Sequence, residues 1–257
     1  MNALTHVKEK TTRTLRHRVK WFVGARPGLY FPIFRRRSGY DDLLVDDTTD
    51  ICIEGYPRSA NSFAVGAFEH AQSAPVRVAH HTHVPANPMR ACERGVPTLV
   101  LIRDPHDAVV SHVALGKQTQ VTEQGVEAPV QWLSFETLLN AWCTFYRSVR
   151  PYRNRMVVAS LGAVVEDMGA VIGQVNAHFG TDFDRFEHTP DAVAEVHSGR
   201  GYHAGPSEHR DQLKADTRTD FEKRLRFDSE LEATLSEAET CYEAFVNDSA
   251  TVTVSSL

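Results

Sequence analysis

The chain has 257 residues, 42% of them apolar, a size and composition that suit one α/β domain with a large core. Its net charge of −5 is unevenly distributed, because residues 1–40 hold ten basic residues and one acid (+9), which leaves −14 on the remainder. The absence of an 18-residue apolar run and of an apolar segment after the basic N-terminus argues against a membrane-spanning helix and a secretory signal.

These features divide the chain into a basic N-terminal arm (1–40), a single α/β domain (41–248) and a flexible tail (249–257). A helix is predicted over residues 7–23 of the arm. A basic arm on an acidic body indicates an anionic partner, such as a membrane surface, although a merely solvated charge run has the same composition. Four widely spaced cysteines without metal-binding spacing indicate a reducing compartment. We expect the protein to be cytoplasmic. Peripheral contact with a membrane through the arm is one interpretation of the basic charge.

Short apolar runs predict buried strands, which lie at residues 51–55, 76–80, 98–102 and 156–160. Helical patterns lie between and after them, at residues 63–68, 135–149, 170–179 and 229–246, with a further helix beginning near 207. Asp104 is expected to cap the helix that begins at Pro105. The polar segment 112–134 is predicted to be a loop that covers a substrate. Strands that alternate with helices predict a mostly parallel sheet with helices on both faces, and ligands bind such sheets at the carboxyl ends of the strands.

The segment from Pro57 to Ser62 connects the first strand to a helix and has the composition of an anion site. Backbone N–H groups at a helix N-terminus attract anions, and Arg58 adds a fixed positive charge. The segment lacks the GxxxxGK[ST] pattern of nucleoside triphosphatases, so no Lys-Ser/Thr pair is present to hold magnesium. It therefore predicts an anionic nucleotide bound without a required metal, although an ordinary capped turn has a similar composition.

Two more polar segments follow the next two strands. His81-Thr82-His83-Val84-Pro85 comes after the second, and Arg103-Asp104-Pro105-His106-Asp107-Ala108-Val109-Val110-Ser111 comes after the third. In this order and at these distances, the three segments resemble the 3′-phosphoadenosine 5′-phosphosulfate-dependent sulfotransferase family. The resemblance covers residues 51–112 well and weakens over 130–185. It implies a P-loop nucleotide-hydrolase-like three-layer sandwich and a sulfuryl donor, with no metal required.

The resemblance assigns roles to particular residues. Arg58 occupies the position of a family Lys that contacts the phosphosulfate, where it is expected to stabilise the leaving phosphate. His83 occupies the position of the catalytic base, and Arg103 and Ser111 that of the pair holding the 3′-phosphate. The remaining expected donor-binding residues are Ser59, Ala60, Asn61 and Ser62 of the loop and Phe63, which replaces a Trp that stacks on adenine.

Several positions depart from the family pattern. Arg58 replaces Lys, Ala60 replaces Gly, and His81 replaces a second Lys, so the loop geometry and the charge near His83 differ. The Arg-Lys-Gly segment that touches the 3′-phosphate in the family has no clear counterpart. Arg200 and Arg210 are the two candidates, and a surface arginine is the alternative for each.

The chemistry implied is in-line transfer of a sulfuryl group to a hydroxyl acceptor, with His83 as general base. A polar hydroxyl on a glycan or glycolipid is the favoured acceptor, and a small alcohol or phenol is an alternative. Two other functions stay open: a P-loop nucleotide kinase or triphosphatase, and a non-catalytic module that binds anions or membranes through the arm. His81 and His83 could also belong to a metal site, but no third ligand is indicated by spacing.

Overall fold

A computed structural model describes residues 3–124, 133–199, 208–247 and 251–252 of the chain. The α-helices are Ala3–Gly24 (α1), Pro27–Phe34 (α2), Asn61–Ala71 (α3), Ala86–Arg94 (α4), Pro105–Gln124 (α5), Phe135–Val149 (α6), Leu161–Glu166 (α7), Met168–Phe179 (α8), Pro190–Gly199 (α9), Glu208–Leu225 (α10) and Ser229–Val246 (α11). The strands are Ile51–Gly55 (β1), Val78–His80 (β2), Thr98–Ile102 (β3), Val157–Ser160 (β4) and Thr251–Val252 (β5), and a 3₁₀ helix spans Arg150–Arg155.

The five strands form one parallel sheet in the order β2-β1-β3-β4-β5. Because every strand runs in the same direction, the carboxyl ends of β1, β2 and β3 meet at one edge. The predicted fold class, a parallel sheet with helices on its faces, is confirmed. Strand β5 was not predicted: it pairs with β4 through Thr251 and Val252, within the segment that the sequence analysis assigned to a flexible tail.

Alternate strand residues supply the two faces of the sheet, as the two-residue period of a strand requires. Ile53, Leu99 and Leu101 belong to a buried cluster with α3 and α8. Val100 and Ile102, which alternate with the leucines, belong to a second cluster with α5, α6 and α11. The helices therefore cover both faces and leave the carboxyl edge of the strands for the connecting segments.

Local hydrogen bonds account for several helix ends. The carboxylate of Asp104 accepts a bond from the backbone N–H of Asp107 at 3.0 Å, which confirms the predicted start of α5. Asp228 accepts bonds from the N–H groups of Glu230 and Leu231, and α11 spans the predicted residues. Gly180 ends α8 with a φ of 69°, a left-handed conformation that glycine adopts without strain.

The prediction of a loop over residues 112–134 is wrong for residues 112–124. Helix α5 continues to Gln124, and Gly116 lies inside it. A single glycine disfavours a helix by only about 1 kcal/mol, which packing can offset, and α5 packs against both α6 and α10. Residues 125–132 lie outside the described residues.

The first 40 residues contain α1 and α2, both packed on the rest of the molecule. Trp21 of α1 is buried, and its ring stacks on that of Tyr56 with 5.8 Å between the ring centroids. Tyr30 and Phe31 of α2 are buried in a cluster with residues of β1 and α4. In the part of the chain that the structure describes, no helix is both long and apolar enough to span a bilayer.

Candidate functional site

A cavity of about 390 Å³ lies where the segments after β1, β2 and β3 meet. This volume is within the range of sites that hold a small molecule. Most of the residues assigned by the sequence reasoning line it. The lining residues are Pro57, Arg58, Ala60, Asn61, Ser62, Phe63, His81, His83, Arg103, Leu115, Leu161, Val165, Val193 and His197.

The connection between β1 and α3 presents a helix N-terminus to this cavity. Ala60 stands immediately before α3 and supplies no side-chain hydrogen bond to cap it. The first N–H groups of a helix have no partner within the helix, and they carry the positive end of the helix dipole. Asn61 and Ser62, which begin α3, line the cavity, so the entrance of this helix is suited to an anion.

Two arginines from different segments meet beside this loop. The Arg103 guanidinium donates a hydrogen bond of 3.2 Å to the backbone oxygen of Arg58, and Arg58 Nε donates one of 3.1 Å to Ser111 Oγ. Burial and the charges of Arg210 and Arg103 lower the pKa of Arg58 to about 10, so it stays protonated at neutral pH. Within the described residues, no carboxylate lies within 4.0 Å of either of these two guanidinium groups. The charges of Asp104 and Asp107 act on Arg103, but within the described residues no direct ion pair neutralises either arginine.

The other residues proposed for the donor are placed less directly. Ser59 is completely buried and does not line the cavity, and Ser111 is also buried. Arg210 is buried, donates a 2.8 Å bond to Gln118 and is close enough to lower the pKa of Arg58. Arg200, the alternative candidate near the C-terminus, lies outside the described residues.

His83 has the environment of a neutral imidazole. Its Nδ1 lies 3.1 Å from the carbonyl oxygen of Gly55, and because a carbonyl can only accept, Nδ1 carries the proton. The pKa of His83 is lowered to about 3, mainly by burial and to a smaller extent by the nearby His81, Lys20 and His112, against the opposing effect of the Gly55 carbonyl. At neutral pH its Nε2 is therefore unprotonated, but a pKa this low makes it a weak base until the charge of a bound anion raises the pKa.

Glu54, which the sequence analysis did not single out, holds the segment that carries His83. Its completely buried carboxylate accepts bonds from the N–H and hydroxyl of Thr82 at 2.8 and 2.6 Å, from the N–H of His83 at 3.2 Å and from Asn87 at 3.2 Å. Burial raises the pKa of Glu54 to about 7, although these hydrogen bonds oppose the shift. A lone acid inside a strand pattern gives no sequence signal for this role.

More imidazoles surround His83. His81 Nδ1 lies 2.6 Å from His80 Nδ1, and His81 Nε2 lies 3.1 Å from Ser62 Oγ, so His81 is linked to the start of α3. Burial lowers the pKa of His112 to about 4, with smaller contributions from His17, Arg58 and Lys20. Since Lys20 belongs to α1, the N-terminal helix contributes positive charge to the surroundings of His83.

The opposite wall of the cavity is apolar and comes from parts of the chain that the sequence motifs did not reach. Leu161 and Val165 of α7 and Val193 of α9 line it. Phe63 packs against His197 of α9 with 5.3 Å between the ring centroids. Apolar side chains beside a ring cluster suit an aromatic base. Only tertiary packing brings α7 and α9 to this wall, so sequence spacing could not identify these residues.

Four non-glycine residues of the described chain have positive φ angles, and all four line this cavity. The angles are 74° at Arg58, 69° at Ala60, 54° at His81 and 53° at His83. A left-handed conformation costs about 1–2 kcal/mol for a residue with a Cβ atom. Such strain persists only where surrounding contacts impose it, and it is frequent at functional sites.

Comparisons with known proteins give distant structural similarity only. Among solved structures, the chain is similar to a mouse structure described as sulfotransferase SULT7A1 complexed with PAP, with a TM-score of 0.42 and 12% sequence identity. The similar region covers 77% of this chain and 91% of that one. No protein-family model matches the chain, and no curated protein sequence matches it significantly.

Proposed function

We propose that this chain is a sulfotransferase that moves a sulfuryl group from 3′-phosphoadenosine 5′-phosphosulfate to a hydroxyl acceptor. The observation that carries the proposal is the convergence of Arg58, Arg103 and His83, from three separate strand ends, on one cavity. The same residues carry the sequence resemblance to sulfotransferases. Neither the cavity nor the motifs alone would support this reaction over other anion chemistry.

The residues present fit a polyanionic nucleotide. Arg58 and Arg103 have no carboxylate within ion-pair distance in the described chain, and the uncapped entrance of α3 adds N–H donors beside them. Arg103 and Ser111 would hold the 3′-phosphate, with Arg210 close by. Ser111 Oγ accepts the 3.1 Å bond from Arg58, so its hydroxyl proton remains available to donate to a phosphate while Arg58 stays in place. The apolar wall with Phe63 and His197 would accommodate the adenine.

The donor, when bound, supplies the sulfuryl group and leaves as 3′-phosphoadenosine 5′-phosphate. The unprotonated Nε2 of His83 takes the proton of the acceptor hydroxyl as that oxygen bonds to sulfur. Arg58 and the first N–H groups of α3 stabilise the negative charge that grows on the departing phosphate oxygen. Glu54 acts through position only, because its carboxylate holds the backbone of His83 and does not line the cavity.

For the acceptor, we propose a polar hydroxyl such as that of a glycan or glycolipid. The groups around His83, which include His81, His112 and Lys20, favour a ligand that forms hydrogen bonds or carries negative charge. A small phenol or alcohol is the alternative, and Leu115 of α5 is an apolar lining residue that could contact it.

Nucleotide binding tests the donor site. Calorimetric titration without metal should show tighter binding of 3′-phosphoadenosine 5′-phosphate than of ADP. Arg103→Met should weaken the first by roughly 10- to 100-fold, the range expected for lost hydrogen bonds to a charged group, and leave ADP binding little changed. Arg155→Met is the matched control, because Arg155 is exposed and precedes β4 at the opposite edge of the sheet. Equal affinity for the two nucleotides would contradict the proposal and favour a kinase or triphosphatase.

Transfer of labelled sulfate from the donor to a panel of glycans, glycolipids and phenols tests the reaction. His83→Asn should retain nucleotide binding and lose roughly 10²–10⁴-fold in transfer rate, the usual contribution of a general base. A variant that transfers at the wild-type rate would show that His83 is not the base.

A further inference from the structure

Helices α1 and α2 expose an unusual number of large apolar side chains. These side chains, together with the arginines around them, form a surface that we call the basic apolar face. Among the described residues, seven large apolar side chains are exposed, and five belong to these two helices. The five are Leu15 (60% exposed), Val19 (52%), Phe22 (56%), Leu29 (46%) and Ile33 (55%). Single exposed apolar residues are ordinary, but a cluster of them marks an interaction surface.

The five residues form one stripe on each helix. Leu15, Val19 and Phe22 follow the i, i+4, i+7 spacing of one helical face, and Trp21 on the opposite face is buried. At 100° per residue, the exposed Arg16 and Arg18 lie on either side of the apolar stripe. The described part of α1 thus covers Trp21 against the protein and leaves a separate apolar stripe exposed.

Helix α2 repeats this arrangement. Its buried side carries Tyr30 and Phe31, whereas Leu29 and Ile33, four residues apart, are exposed. The exposed Arg35, Arg36 and Arg37 follow directly. They include Arg36, whose guanidinium has no ion pair or hydrogen bond in the described chain. The exposed apolar residues of α2 are therefore also followed by positively charged side chains.

The charge of this segment identifies the kind of partner. Between residues 10 and 40 the sequence contains nine basic residues and no acidic residue, whereas the remainder of the protein is acidic. Interfacial helices combine an apolar face with flanking Lys and Arg, so that the apolar side chains enter the bilayer while the cations remain at the headgroups. A nucleic acid would be attracted by the charge but would gain nothing from the exposed leucine, isoleucine and phenylalanine.

We propose that the basic apolar face docks on an anionic lipid surface, with α1 and α2 lying on the bilayer rather than crossing it. This proposal does not depend on the sulfotransferase activity. Because the covered side of α1 carries His17 and Trp21 towards Tyr56 and His112, the docked helix would lie between the bilayer and the surroundings of His83.

Vesicle sedimentation with the full chain tests the proposal. Binding to vesicles that contain phosphatidylserine in phosphatidylcholine should be clearly tighter than binding to phosphatidylcholine alone. The double variant Arg16→Gln/Arg36→Gln should weaken it by roughly 10- to 30-fold, because each cation contributes about 1 kcal/mol at such a surface. Equal binding to neutral and anionic vesicles, or binding to neither, would overturn the proposal.

A second double variant separates lipid from other polyanions. Phe22→Ser/Ile33→Ser should also weaken binding by about 10-fold or more, because buried apolar area contributes to interfacial affinity. Arg226→Gln/Phe227→Ser is the matched control, since it changes an exposed arginine and an apolar ring that is 84% exposed, and it should bind like wild type. Full binding by the Phe22/Ile33 variant would overturn the proposal in favour of a partner recognised by charge alone, such as a nucleic acid. All variants change exposed side chains, and equal thermal melting verifies that they fold.

Discussion

Replacing Glu54 by Gln should change how the stability of the protein depends on pH. In the folded protein burial raises the pKa of Glu54 to about 7, from an ordinary value of 4.5. Between these two values the folded chain binds a proton that the unfolded chain does not, so stability decreases as pH rises through this window. This is opposite to the behaviour of a carboxylate in a favourable ion pair. The side-chain amide of the Glu54→Gln variant cannot titrate, so the substitution removes the dependence.

The size of the effect follows from the two pKa values. A shift of one pKa unit corresponds to about 1.4 kcal/mol, so the shift at Glu54 amounts to about 3 kcal/mol in total. Between about pH 5.5 and pH 8, the free energy of unfolding of wild type should fall by about 2 kcal/mol relative to that of Glu54→Gln. The variant also has a constant penalty, because the amide presents an N–H group where a carboxylate oxygen now accepts from Thr82 or His83.

Urea unfolding at several pH values measures this difference, since the wild type and the variant share all other titrating groups. Glu222→Gln is the matched control, because Glu222 is exposed and its substitution should leave the pH dependence parallel to wild type. If the wild-type and Glu54→Gln curves also run parallel, then Glu54 does not titrate in this range, and the reasoning about its burial is refuted.

Two further predictions concern the same site. Ala60→Gly should raise the free energy of unfolding by about 1 kcal/mol, because glycine adopts the φ of 69° without strain. The control Ala177→Gly, at an exposed position of α8, should lower it by a similar amount. Thermal melting measures both variants, and a lower Tm for Ala60→Gly would contradict the strain at this residue. Burial lowers the pKa of His83 to about 3, whereas its pKa in the unfolded chain is 6.5, so the protein loses stability as the pH falls below 6.5. Between about pH 8 and pH 5 this loss amounts to about 2 kcal/mol of the free energy of unfolding, and His83→Gln should remove it. An unchanged acid limb in urea titrations of His83→Gln would show that this imidazole is not kept neutral.

The parts of the fold that were predicted correctly have local causes. Strands β1 and β3 are short apolar runs bounded by turn residues. Asp104 and Pro105 are adjacent residues that together signal the start of a helix. The motifs also placed Arg58, His83 and Arg103 at the ends of neighbouring parallel strands, which is sufficient to bring them to one edge of a sheet.

The parts that were missed depend on contacts between distant segments. Nothing next to Glu54 in the sequence indicates that Thr82 and Asn87 will bond to it, since these donors come from the β2–α4 region. The apolar wall of the cavity combines α7 and α9 with Phe63, and α5 continues through Gly116 because other helices pack on it. In each case tertiary packing either overrides the local sequence pattern or brings together residues that no local pattern connects.

The stacking of Trp21 on Tyr56 makes helix α1 observable by fluorescence. The sequence has three tryptophans, of which Trp142 is buried in the core and Trp132 lies outside the described residues. With those two replaced by phenylalanine, the emission of Trp21 alone would report whether α1 rests against the body of the protein. A red shift on adding nucleotide or vesicles would then mark the moment at which this ring becomes exposed to water.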